Sequence, residues 1–290
     1  MKSRGTTDGL LLVDKPAGIS SHDAVLAARR AFNEARIGHG GTLDPFATGL
    51  LVLLLGRATR LLPYLNGEPK VYQATIRFGS ETDTDDLGGQ VTRTAVAPTG
   101  DAVLKAIPKL MGTIQQMPPA YSAKRVDGKR AYQAAREGAP LELKAVPVRV
   151  DGWQIIEWDG DDLRVEIMCG GGTYIRALAR DLGRLTDSAA HLVELRRTKS
   201  GPFDVTNAVT IADLQAGRAK LRPALDALVG MPTQPVSPEE INKISRGIEV
   251  PRLVPGTHAA LVDGTSGALI AVAEGRGERW QPRVVMSRPE

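Results

Sequence analysis

The sequence holds a single cysteine, Cys169, in 290 residues. An internal disulfide is therefore impossible, and a cysteine-rich zinc site is excluded. Aromatic residues make up only 4%, so each Tyr or Trp in a loop draws notice. Long apolar runs are missing as well. The longest, Leu50 to Leu55, falls far short of a membrane span. The run from Leu10 to Val13 is too short for the hydrophobic part of a signal peptide. There is no Walker loop and no cluster of metal-ligating residues, and Gly170-Gly171-Gly172 lacks the spacing of a dinucleotide loop. These absences predict a soluble cytoplasmic protein with no membrane partner.

Hydrophobic residues reach 42%, enough for a buried core, and the net charge of +4 permits a polyanionic partner without requiring one. Leu10 to Val13 reads as a strand. Ser20 or Ser21 caps a helix running to Phe32, with Ala24, Ala27 and Ala28 along it. A glycine-rich loop spans Gly38 to Gly49, and Leu50 to Leu55 has the length of a strand. Ala58 to Leu65 reads as a short helix, and Val71 to Phe78 alternates at period two. Glu81 to Asp86 is an acidic loop. Helices are expected over Asp101 to Met111, Lys129 to Glu137 and Tyr174 to Leu185, with a strand over Leu163 to Met168. After Met231-Pro232 the character changes: prolines punctuate a segment with a helix near Glu239 to Ser245 and strands near Ala259 to Val262 and Ala268 to Ala273. The expected class is α+β, a mixed and largely antiparallel sheet flanked by helices. Residues 1–230 form the larger domain and 231–290 a small β-rich module.

Asp44 stands out. It precedes Pro45, which pushes it into extended backbone, and Gly38, Gly40, Gly41 and Gly49 surround it. A carboxylate on a stiff, glycine-flanked loop is well presented to a substrate. On these residues alone, Leu43-Asp44-Pro45 reads first as a plain turn.

The blocks around it, in order, resemble one family. Gly38-His39-Gly40-Gly41-Thr42-Leu43-Asp44-Pro45-Phe46-Ala47-Thr48-Gly49-Leu50-Leu51 is similar to the catalytic motif of the TruB family of tRNA pseudouridine synthases. Asp14-Lys15-Pro16-Ala17-Gly18-Ile19-Ser20-Ser21, Lys70-Val71-Tyr72, Pro118-Pro119-Ala120-Tyr121-Ser122-Ala123, Gly128-Lys129-Arg130-Ala131-Tyr132, Gly172-Thr173-Tyr174-Ile175-Arg176-Ala177-Leu178-Ala179-Arg180-Asp181-Leu182-Gly183 and Leu195-Arg196-Arg197-Thr198 resemble the family's other blocks. The resemblance implies isomerisation of a T-loop uridine, number 55 in tRNA numbering, to pseudouridine, with tRNA bound through its T-arm. It implies a pseudouridine-synthase-like fold, and the C-terminal segment resembles the PUA modules of bacterial members. It implies an isomerisation that needs no cofactor and no metal, no obligate protein partner and a monomer.

Residue by residue, it implies that Asp44 is the catalytic carboxylate, acting as nucleophile, cation stabiliser or sugar base, three routes that stay open. Tyr72 would stack on the base, Arg176 would pair with Asp44, and Tyr174 and Leu195 would line the pocket. His39 would fill the space of the flipped-out uridine. Asp86 would face the uracil edge, with Asp83 and Asp85 as adjacent alternatives. Lys15, Lys124, Arg125, Lys129, Arg130, Arg196 and Arg197 are candidates for the RNA backbone, or for a solvated basic face. Lys124-Arg125 departs from the family's apolar-Lys pair. The other readings are a pseudouridine synthase acting on rRNA or guided RNA, and a non-catalytic RNA-binding or RNA-folding factor. Cys169 is expected to be a small buried residue, and His191 structural.

Overall fold

A computed structural model describes residues 7–121, the backbone of 125–126 and 129–130, and residues 143–286. They fall into two compact units. One holds the described residues up to Pro45, Gly49–Gly67 and those from Pro202 onward; the other holds Phe46–Thr48 and Glu68–Gly201.

The first unit opens with strand β1 (Gly9–Lys15) and helix α1 (Ser21–Phe32). Ser20 caps α1 by a reciprocal box with Asp23, and Asn33 closes it in a left-handed conformation. Strands β2 (Ile37–His39) and β3 (Thr48–Leu55) follow. β3 pairs with β1 and β2 in antiparallel register. Apolar side chains of β1 alternate between two cores. Leu11 and Val13 pack with Ala24, Val25 and Ala28 of α1, whereas Leu10 and Leu12 pack with Leu54, Ala260 and Val284. From Leu50 to Leu55 β3 is apolar because both of its faces are covered. The helix expected over Ala58 to Leu65 is instead a 3-10 helix over Gly56–Tyr64, with Pro63 inside it.

The second unit contains β4 (Lys70–Phe78), β5 (Ser80–Thr82), β6 (Val91–Thr94), α2 (Gly100–Ala106) and β7 (Gly112–Gln116). The acidic stretch is thus partly strand. Short strands β8 (Arg125–Val126) and β9 (Lys129–Arg130) pair with each other. This corrects the start of the helix expected from Lys129; residues 131–137 of that helix lie outside the described residues. β10 (Val146–Asp159), β11 (Asp162–Cys169), α3 (Ile175–Leu185) and β12 (Ala190–Ser200) complete the unit. Its sheet runs β12-β4-β11-β10-β7, antiparallel throughout. β10 and β12 escape a period-two reading because each carries two register shifts, after Val150 and Ile155 and after Leu192 and Arg197.

The chain then returns to the first unit through β13 (Phe203–Asp204), β14 (Val209–Thr210) and α4 (Ile211–Gln215). β14 lies parallel to β1. The last segment holds β15 (Thr233–Val236), α5 (Pro238–Ser245), β16 (Val250–Pro251), β17 (His258–Asp263), β18 (Leu269–Arg276) and β19 (Arg279–Val285). Its five-stranded sheet runs β15-β17-β18-β19-β16. Trp280, fully buried, anchors it. Its Nε1 donates to Gln234 Oε1 at 2.8 Å, and Gln234 in turn bridges Pro251 O and Leu253 N. The architecture is the expected α+β class, with a β-rich C-terminal end.

Trp280→Ala is expected to lower the stability of this end by roughly 3–5 kcal/mol, from the lost apolar burial, the cavity and the orphaned Gln234. Urea unfolding followed by hydrogen exchange over β15–β19 measures it.

Candidate functional site

The Asp44 loop belongs to the first unit, and its shape is imposed from both sides. Leu43, buried, is fixed by Ser21: its N–H donates to Ser21 Oγ at 2.8 Å and its carbonyl accepts from that hydroxyl at 2.9 Å. On the other side, Pro45 O accepts from Gly18 N at 2.9 Å and from Lys15 Nζ at 3.3 Å. The same ammonium donates to Pro16 O and Ile19 O, each at 2.8 Å. Two blocks far apart in the sequence, Asp14 to Ser21 and Gly38 to Leu51, are thus one assembly in which the first grips the second. Asp44, half-buried, is held between two pinned neighbours.

The glycines divide by purpose. Gly41 (φ 139°) and Gly49 (φ 100°) supply conformations that other residues rarely adopt. Gly40 supplies space: a Cβ there would come within 2.3 Å of Leu65. His39 sits in β2 opposite Leu53, half-buried.

Lys15 is fully buried. Burial pushes its ammonium down to about 8, against the upward pull of Asp44 and Asp23. Three charge-assisted hydrogen bonds are worth about 1.5–3 kcal/mol each, but desolvating the ion costs several kcal/mol. The net stability gain is small, so the ammonium selects a loop conformation more than it stabilises the fold. This corrects the reading of Lys15 as a phosphate contact, because its donors all face backbone carbonyls.

In the second unit, Tyr72 lies on β4, 7% exposed, directly opposite Ile167 of β11 and Arg197 of β12. Leu195 is opposite Ala74. Directly paired residues share a face, which puts Tyr72, Leu195 and Arg197 on one side of the sheet. Arg197 is 1% exposed, so it too is corrected from a phosphate contact to a buried side chain. Arg196 is half-buried. Lys124 and the side chains of Arg125, Lys129 and Arg130 lie outside the described residues. Cys169 is fully buried, its thiol pushed up to about 11 by desolvation, in keeping with a packing role. His191 is buried, with Nδ1 at 2.9 Å from Ser80 O, and is structural as expected.

Tyr174 occupies the residue before α3. Gln116, fully buried, holds both of its backbone groups, accepting from the N–H at 2.9 Å and donating to the carbonyl at 3.0 Å. Arg176 follows in the first turn, 4% exposed. It donates to Thr84 O at 2.8 Å, Tyr121 O at 2.9 Å and Asp86 Oδ2 at 3.2 Å. Asp86 Oδ1 accepts from Thr84 Oγ1 at 2.8 Å and Gly88 N at 3.0 Å. The pair continues along the helix. Arg180 binds Asp85, and Arg184 binds Glu81. Arginines at i, i+4 and i+8 therefore meet the acidic stretch 81–86 rung by rung. Sequence reading missed this ladder and Gln116. The spacing of Arg176, Arg180 and Arg184 was a signal for the ladder; a lone buried Gln gave none.

Residues 29–175 match the model of the TruB family pseudouridylate synthase N-terminal domain, and residues 176–230 match the tRNA pseudouridylate synthase B C-terminal domain. The chain is 44% identical over 278 residues to a tRNA pseudouridine synthase B of Aromatoleum aromaticum, covering 94% of this chain and 88% of that protein. It is 42% identical to its counterpart in Corynebacterium efficiens, covering 97% and 96%. Among solved structures, the fold is similar to a chain of an H/ACA RNP bound to a substrate RNA containing 2'-deoxyuridine (TM-score 0.71, 21% identity, covering 96% and 85%). It is likewise similar to a chain of a Cbf5-Nop10-Gar1 complex (TM-score 0.72, 23% identity, covering 97% and 85%). A family model over half the chain and relatives matching nearly all of it agree with the loop geometry: the chain belongs to the TruB family of pseudouridylate synthases.

Proposed function

We propose that this enzyme, a tRNA pseudouridine synthase like the relatives it matches, isomerises uridine 55 of the tRNA T-loop, with Asp44 as its catalytic carboxylate. The observation that carries this reading is the immobilised loop. Leu43 and Pro45 are both tied to the segment from Lys15 to Ser21, so the carboxylate between them is preorganised. A preorganised charge acts on a transition state without reorganising during reaction. The isomerisation breaks the bond from the sugar to a base nitrogen and forms one to a base carbon, with no net loss of atoms or electrons.

A stacked loop uridine must leave its stack before reacting. Tyr72 would then stack on the base, Leu195 and Tyr174 would line the pocket, and His39 would fill the vacated space. Asp86 would accept from the uracil edge, aimed by Arg176 and Thr84. Arg176 would also serve Asp44, keeping it ionised. The T-arm would be held by residues including Arg196, Lys124, Arg125, Lys129 and Arg130. The enzyme would act as a monomer, with 1–230 as the catalytic domain and 231–290 as a PUA-like RNA-binding module.

Incubation with unmodified tRNA transcript, followed by chemical mapping of pseudouridine, tests activity and position together. Modification is expected at the T-loop uridine; product elsewhere, or none, overturns the reading. Asp44→Asn is expected to abolish product while tRNA affinity stays within a few-fold, and a variant that keeps near-normal turnover removes Asp44 from the chemistry. The turnover rate is expected to fall as pH rises through about 8, where Lys15 loses its proton and one of its three donors. Its folded-state value lies below the usual 10.5, so folding favours the neutral form and this group's contribution to stability rises with pH above 8. Activity should thus decline while the melting temperature is not lowered by this group; a rate that stays flat to pH 9.5 contradicts the assignment.

A further inference from the structure

The middle rung of the arginine ladder has no part in the roles assigned above. Asp85 sits at a left-handed φ of 60° between Thr84 and Asp86, the two residues that Arg176 engages. Its carboxylate is buried and pairs with Arg180 Nη1 at 2.8 Å, while Leu192 N of β12 donates to its carbonyl at 3.1 Å. The other terminal nitrogen of Arg180 donates to Met117 O at 2.8 Å, and Nε donates to Asp181 Oδ1 at 2.9 Å. Tyr121, four residues beyond Met117, is held by Arg176. Two guanidinium groups one helical turn apart thus grip the same two segments, 84–86 and 117–121. Every contact lies within one unit of the protein.

We propose that Arg180 and Asp85 are positioning residues for the isomerisation, locking the Thr84–Asp86 turn so that the Asp86 carboxylate stays aimed by Arg176. The inference rests on the reading of Asp86 as a group that faces the base. A left-handed aspartate is strained unless its surroundings hold it. Here the ion pair and the Leu192 N–H hold it. If the pair opens, the turn loses that restraint, and Thr84 Oγ1, which orients Asp86, moves with it.

The charged groups facing Asp85 are Arg176, Arg180 and Arg184 of α3 and Glu81 of β5. Burial raises its carboxyl to about 6, against the pull of Arg180 and Arg176. The lock is therefore sensitive to mild acid. Because the folded-state value lies above the ordinary 3.8, folding favours protonated Asp85, and this group's contribution to stability does not fall as pH drops through 6. A loss of rate without a loss of stability marks a positioning role, which a merely structural residue would not produce.

The test measures kcat and KM for tRNA, with melting temperature, between pH 7.5 and about 5 for the wild type, Asp85→Asn and Asp86→Asn. The wild-type kcat is expected to drop through about pH 6, with KM and melting temperature nearly constant. Asp85→Asn keeps the shape and an acceptor for Arg180. It is expected to lower kcat roughly tenfold at neutral pH, to leave KM within about twofold and to lose the acid limb. If Asp85→Asn fails to fold, the wild-type profile alone decides. A flat wild-type kcat over this range, or an Asp85→Asn enzyme that keeps the limb, overturns the proposal. Full activity in Asp86→Asn instead overturns the reading of Asp86 on which the proposal stands, whereas impaired Asp86→Asn beside fully active Asp85→Asn sinks the lock alone.

Discussion

A single buried ammonium group organises the Asp44 loop, on which the proposed chemistry depends. Lys15 ends β1 with its side chain turned inward, where Nζ meets three backbone carbonyls and no solvent. One of these carbonyls belongs to Pro45, next to Asp44. The free energy of this arrangement is close to balanced, since the hydrogen bonds offset a desolvation penalty of similar size. What remains is specificity. A loop rich in glycine has many conformations, and the ammonium, with Ser21 and Gly18, leaves it one. Preorganisation of this kind places the energetic cost of ordering in the folding of the protein, before substrate arrives.

The second unit uses the same device with opposite sign. There, the buried carboxylates of Glu81 and Asp85 and the half-buried Asp86 are held by arginines of α3. Arg176, Arg180 and Arg184 each reach back to 81–86. In both units an irregular backbone is tied to a regular element through largely desolvated charges, Lys15 in the first and the Arg176–Asp86 and Arg180–Asp85 pairs in the second, whereas the Arg184 end of the ladder reaches solvent. Such pairs add little to stability, yet removing one partner leaves an unpaired buried charge at a cost of about 3–5 kcal/mol. The structure therefore tolerates these charges only as complete sets.

Much of this was legible in the chain. The Ser20 cap, the alternation of β11 and the amphipathic face of α3 follow local rules, and all appear in the structure. The Asp44 motif read as a turn on its own residues and became a candidate site through the resemblance of the ordered blocks around it, while its glycines reported backbone needs that Gly40, Gly41 and Gly49 each meet. What escaped was non-local. β12 looks irregular in sequence because bulges break its period, and its identity as a strand comes from pairing with β4. Lys15 and Arg197 looked like surface cations, since burial of a charge is decided by partners far along the chain. The arginine ladder required knowing that α3 lies against 81–86, which no local pattern states.

Removing the Lys15 ammonium shows whether it preorganises the Asp44 loop. Single-turnover pseudouridine formation at saturating tRNA should be measured for Lys15→Met alongside tRNA affinity, with circular dichroism to verify the fold. A large fall in the single-turnover rate is expected, with affinity within a few-fold of the wild type. A preserved rate at saturating tRNA with affinity sharply weakened would instead make Lys15 a phosphate contact and leave the Asp44 loop ordered without it.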